Sequence, residues 1–117
     1  MEMYVAHPSS TNYSNLYDEL KDSTLAENHK LVFPHDSDEF LNSKEVIRNS
    51  DLILAEVSKP STGLGIELIW AEIFNKKVIK IHQEGSEISS SLKVIEGPEI
   101  SYSDIENISA LIEEKIK

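Results

Sequence analysis

Residues 51–57, DLILAEV, are almost uninterruptedly apolar. A run this short and this apolar is the form of a strand buried on both faces, as in parallel sheets. Such a strand needs cover above and below, and the rest of the chain supplies it in alternation. MYVA at 3–6, KLVF at 30–33, KVIKIH at 77–82 and EISYS at 99–103 read as further short strands, the second ended by Pro34. Tyr13, Leu16, Tyr17 and Leu20 share one helical face, and Ile66, Ile69, Trp70 and Ile73 mark another, in a helix running to about Asn75. The segment 35–50 predicts one or two short helices, and 88–95 a further short one. Ser103 and Glu106 form an S-x-x-E capping box. It opens a last helix with Ile105, Ile108, Ile112 and Ile116 inward. Strands alternating with helices imply right-handed crossovers. The expected fold is a three-layer α/β/α, flavodoxin-like (Rossmann-like) domain with a five-stranded parallel sheet in the order 2-1-3-4-5.

At 117 residues, with no internal repeat or linker, 1–117 reads as one domain. Lys and Arg number 11 against 21 Asp and Glu, a net charge of −10. With no basic stripe to displace counterions, polymeric nucleic acid is not an expected partner. The first ten residues lack a basic n-region followed by a long apolar stretch, and no apolar run reaches the ~18 residues of a membrane span. Cysteine is absent, which removes disulfides and thiolate metal sites and fits a reducing cytoplasm. His7, His29, His35 and His82 have no metal-binding spacing, so neither metal nor cofactor is expected.

In parallel α/β sheets, ligands bind beyond the carboxyl ends of the strands. The loops reaching that edge are 7–12, 34–39, 58–65 and 83–91. The third is the most informative: SKPSTGLG precedes a helix, with Glu67 in its expected first turn. Gly63 and Gly65 allow a tight turn and close approach of a ligand to the main chain. A carboxylate there, held ionised by the helix dipole, is either a plain helix-start charge or an anionic nucleophile. Ser58, Ser61 and Thr62 add hydroxyls for a sugar or phosphate. The loop is neither a dinucleotide fingerprint nor a P-loop, since the third glycine and any G-K-[ST] are missing.

Residues 50–71, SDLILAEVSKPSTGLGIELIWA, resemble the signature of the nucleoside 2-deoxyribosyltransferase superfamily. The nearer likeness is to its 2'-deoxynucleoside 5'-phosphate N-hydrolases. The resemblance rests on Asp51, Glu56, Ser58, Pro60, Ser61, Gly63, Gly65, Glu67 and Leu68 at intact spacing, and continues more weakly over 3–97. It implies that Glu67 attacks C1' of a small nucleoside or nucleotide, expels the base and holds a glycosyl ester. It implies further that Tyr4 lies beside the sugar and the catalytic acid. Ser91, or Ser90 on a one-residue shift, would reach the phosphate site of a neighbouring subunit in a homodimer or higher oligomer. Ser61 stands where the family's transferases carry an acid, which favours a 5'-monophosphate, because serine donates to a phosphate that an aspartate would repel.

Three positions depart from the family pattern. Ser43 replaces an aspartate that helps protonate the leaving base, and Asp36, Asp38 and Glu39 are the nearby acids. The first loop lacks the phosphate-gripping arginine, leaving His7, Ser9 and Ser10. The loop before the central strand is short. Ser43 also reads as a helix N-cap, Asp51 as a partner of neighbouring backbone, and Trp70 as core. These departures motivate two alternatives to the enzyme: a nucleotide-binding module with little or no turnover, and a partner-binding domain of the same fold.

Overall fold

The computed structural model describes residues 1–10, 12–37 and 39–116. Its elements are β1 (Glu2–Ala6), α1 (Tyr13–Lys21), α2 (Thr24–Asn28), β2 (Lys30–Val32), α3 (Ser43–Asn49), β3 (Leu52–Glu56), α4 (Thr62–Ile73), β4 (Lys77–Gln83), β5 (Glu99–Tyr102) and α5 (Ile108–Ile116). Two 3-10 turns, Ser90–Val94 and Ile105–Asn107, precede β5 and α5 respectively. The five strands are all parallel in the order β2-β1-β3-β4-β5. The expected three-layer α/β/α fold is therefore present, with α2 as a short helix that the periodicity did not reveal.

Strand alternation sorts the side chains into two cores. Met3, Val5, Leu52, Leu54, Ile79 and Ile81 face α1, α2 and α5, with Leu20, Leu25, Ile108 and Ile112 packed on them. Tyr4, Ala6, Ile53, Ala55 and Val78 face α3 and α4, where Ile47, Leu64, Leu68 and Ala71 cover them. Burying each such Leu or Ile side chain contributes about 1.5–3 kcal/mol. Asp51 accepts from the Glu2 N–H at 2.8 Å, and its own N–H donates back to the Glu2 carbonyl, pinning β1 to β3 at their starts as a backbone-bonding role requires.

Four local expectations are corrected. The buried face of α4 is Leu64, Leu68 and Ala71, whereas Ile66, Ile69 and Ile73 are 47%, 48% and 65% exposed. Both sets fit helical spacing, so periodicity alone does not choose; small Ala71 lets the helix approach the sheet. Trp70 is half-buried against the α3–α4 core. Residues 63–65 are no turn either. Ser61 caps α4, its Oγ accepting from the Leu64 N–H at 3.4 Å, so both glycines lie within the first helical turns and Glu67 sits in the second. The cap of α3 is Asn42, whose side chain accepts from Glu45 N–H, and Ser43 is its first helical residue. Before α5, Asp104 rather than Ser103 caps the chain, accepting from Glu106 N–H at 3.0 Å.

Candidate active site

Parity along β1 and the start of α4 together bring two side chains into contact. Tyr4 points to the α3–α4 side, and its hydroxyl donates to Oε2 of Glu67. The one-residue shift of the α3 cap lets Ser43 face the same place, where it lines both cavities with Glu67 and acts to lower the pKa of Glu67 and of Tyr4. Burial raises the pKa of Glu67 above the ordinary carboxylate value, while the hydrogen bond from Tyr4, the Ser43 hydroxyl and the charge of His35 act to lower it. Burial is thus the leading influence on this carboxyl, in place of the first-turn dipole expected from the sequence. Burial and the neighbouring Glu67 likewise raise the pKa of Tyr4, so its hydroxyl stays a donor. Among the described residues Glu67 forms no ion pair.

The carboxyl borders two cavities. One, of about 320 Å³, lies toward the start of α4 and is lined by His7, Ser9, Ser43, Ser61 and Gly63. The other, of about 420 Å³, lies under the 33–42 loop and is lined by Tyr4, Pro34, Ser37, Glu39, Phe40 and Leu41. His35 lines both. At Gly63 a Cβ would meet nothing within 4 Å, so the absent side chain leaves the first turn of α4 bare toward the cavity.

His7 is buried, and its hydrogen bonds define its state. Nδ1 donates to the Pro8 carbonyl at 2.9 Å, so Nε2 accepts from the Tyr17 hydroxyl at 2.7 Å. That tautomer is neutral, in keeping with a pKa lowered chiefly by burial. The Tyr17 oxygen also accepts the His35 N–H at 3.1 Å, tying the loop after β2 to the loop after β1. Burial pushes the pKa of Tyr17 up to about 12. Tyr13 stacks on His7 at 4.6 Å and lies 5.4 Å from the His35 ring.

The structure thus gathers Tyr4, His7, Ser9, Ser61, Gly63 and Glu67 around the two cavities. Ser10 is exposed on the first loop. Gly65 and Ser91 line a separate cavity of about 360 Å³ that shares Ser61 across the start of α4. Ser58 lies on the α1–α5 side, because β3 parity turns Glu56 that way. There the Glu56 carboxylate accepts from Ser58 N–H and the Tyr102 hydroxyl, and Ser58 Oγ accepts from Gln83 N–H at 2.9 Å. Of the nearby acids, Asp36 is paired with Lys21, Glu39 lines the loop-side cavity, and Asp38 lies outside the described residues. His35 is the site residue that sequence reasoning passed over. Its signal was its position, immediately after Pro34 at the carboxyl end of the strand beside β1.

No protein-family model matches the chain. A protein of Syntrophotalea carbinolica with the provisional name 2'-deoxynucleoside 5'-phosphate N-hydrolase 1 is 37% identical over 65 residues, 56% of this chain. That match spans 46% of the relative, somewhat under half its length. The CMP N-glycosidase BcmB of Clostridium botulinum superposes with a TM-score of 0.68 at 16% identity, covering 97% of this chain and 99% of that one. A conserved protein from Enterococcus faecalis V583 superposes with a TM-score of 0.63 at 15% identity, covering 97% and 98%. At those identities the superpositions speak for the fold, and the sequence match for the relationship. The sequence match is to a protein named as a nucleotide N-hydrolase, the kind of enzyme that residues 50–71 resemble. That match, at 65 residues, is longer than the segment 50–71.

Proposed function

We propose that the chain cleaves the N-glycosidic bond of a (deoxy)nucleoside 5'-monophosphate, with Glu67 as nucleophile and a covalent glycosyl ester as intermediate. One observation carries this reading: the Glu67 carboxyl, oriented by the hydroxyl of Tyr4 and outside any ion pair among the described residues, stands where two cavities meet. A retaining glycosyl transfer needs one carboxylate fixed beside an oxocarbenium-like C1' and room on both sides of it, for the base and for the sugar phosphate. The names of the two relatives, a nucleotide N-hydrolase and a CMP N-glycosidase, point to the same bond. The phosphate is assigned to the α4 side, where Ser9, Ser61 and the bare Gly63 turn supply donors and Glu67 is the sole carboxylate among the described lining residues. Incubation with a panel of nucleoside and deoxynucleoside monophosphates, with free base read by chromatography, tests the proposal. Wild type releases base from at least one, and Glu67→Ala releases none; equal behaviour of the two proteins across the panel rejects it.

A second reading, a nucleotide-binding module without turnover, is favoured by Ser43 standing in place of an acid. Calorimetric binding of a monophosphate that stays intact would select it. We also assign the outer face of α4 to a second copy of the chain. Ile66, Ile69 and Ile73 are exposed there, and Ile66 and Trp70 continue into the wall of the Glu67 cavity, so a partner on this face would enclose the site.

A further inference from the structure

Resting on the glycosidase reading above, we infer that His35 is the general acid that protonates the departing base, in the role left open by Ser43. A nucleobase leaves poorly as an anion, so a proton must arrive as the C1'–N bond breaks. The candidates around Glu67 can be taken in turn. Tyr4 hydrogen-bonds the nucleophile itself, and Ser43 is an alcohol, too weak an acid for the task. His7 has both ring nitrogens engaged, with Pro8 and Tyr17. Asp36 is paired with Lys21. His35 lines both cavities that Glu67 borders, as His7 and Ser43 do, but unlike those of His7 its ring nitrogens hydrogen-bond no other described residue.

Its position is built. The main chain is tied to Tyr17, and the ring packs 5.3 Å from His7 and 5.4 Å from Tyr13. It is near enough to Glu67 for the two charges to interact. An imidazole nitrogen can give a proton as an acid and accept one as a base, so one ring serves both halves of a cycle.

In the first half-reaction a Glu67 oxygen bonds to C1' as the C1'–N bond breaks. The bonding pair passes to the base, and the His35 N–H proton joins it. In the second half-reaction water attacks C1', the ester C1'–O bond breaks to return the Glu67 carboxylate, and neutral His35 takes the proton that water loses. The sum is hydrolysis, with both residues restored.

The test compares two leaving groups. A nucleoside monophosphate cleaved by wild type needs the proton; 4-nitrophenyl β-ribofuranoside 5-phosphate does not, because nitrophenolate leaves as a stable anion. His35→Gln is expected to lower kcat/KM for the nucleotide by about 10²–10⁴-fold while changing kcat/KM for nitrophenol release, which reports the first half-reaction alone, by less than about threefold. Glu67→Ala should abolish both, and Ser43→Asp placed in the His35→Gln background should restore part of the nucleotide activity. Thermal melting of His35→Gln checks that the variant is folded. Equal losses on the two substrates would make His35 structural, and no loss on either would hand the role to another acid, with Glu39→Gln the next variant to make. Both results overturn the assignment while leaving Glu67 chemistry intact. No product from wild type with either substrate overturns the glycosidase reading and the acid assignment with it.

Discussion

Glu67 carries a conflict between stability and chemistry that can be measured. Its folded pKa is raised above the ordinary value of 4.5, so the folded state holds its proton where the unfolded chain has released it. The sign follows from linkage: in that window the folded state binds more protons, and stability falls as pH rises. The contribution is fully present below about the ordinary carboxylate value and is lost as pH climbs through the raised one. Glu67→Gln removes this titration. Its Tm should exceed that of wild type at pH 7.5, with the advantage shrinking toward pH 4; an unchanged difference between the two pH values contradicts it. Tyr4→Phe tests the other side of the conflict. It deletes a hydrogen bond to a carboxylate, a contact worth about 1.5–3 kcal/mol. With burial then less opposed, the proposed cleavage should fall about 10–100-fold at neutral pH. Its rising pH limb should move to higher pH, since Glu67 must be ionised to attack.

Among the elements, the chain entering β5 passes close against β4. Gly97 has φ of +137°, and a Cβ there would lie 1.9 Å from the Val78 carbonyl oxygen. No side chain fits that space, and the left-handed backbone independently favours glycine. Gly97→Ala should lower unfolding free energy by more than about 2 kcal/mol in urea melts; a loss under about 0.5 kcal/mol, the usual surface range, would show that the strand can slide aside. The same neighbourhood holds the turn that carries Ser91. Buried Lys80 donates to the Ile95 carbonyl at 2.6 Å and to that of Leu92 at 3.4 Å, so an amine from β4 ties the Ser90–Val94 turn to the sheet.

At the scale of the whole molecule, the proposed assembly turns on the outer face of α4. Three exposed isoleucines on one helix face are expensive to leave in water and lie against the rim of the proposed site. If a second copy covers them, Ile69→Asp should raise the dimer dissociation constant by about 30-fold or more, the effect of losing a side chain worth about 2 kcal/mol. Light scattering with size-exclusion chromatography reads the result. A wild type that stays monomeric at high concentration rejects the second copy as the occupant of this face.

Much of this was legible in the chain before any coordinates. Short apolar strands alternating with helical periodicities dictate a covered parallel sheet, because local burial and right-handed crossovers leave few other arrangements. Glu67 stood out as a candidate because it follows directly on one strand-turn-helix, and the resemblance over residues 50–71 gave it its expected role. The rest depends on contacts across the chain. Two apolar faces of α4 fit one period equally, and only packing against Ile53 and Ala55 chose between them. Strand parity sent Ser58 away from the carboxylate that it nearly adjoins in sequence, toward Glu56 and Gln83. The meeting of Tyr4, His35, Ser43 and Glu67 follows from β1 pairing with both β2 and β3, a juxtaposition of distant segments that no local pattern encodes.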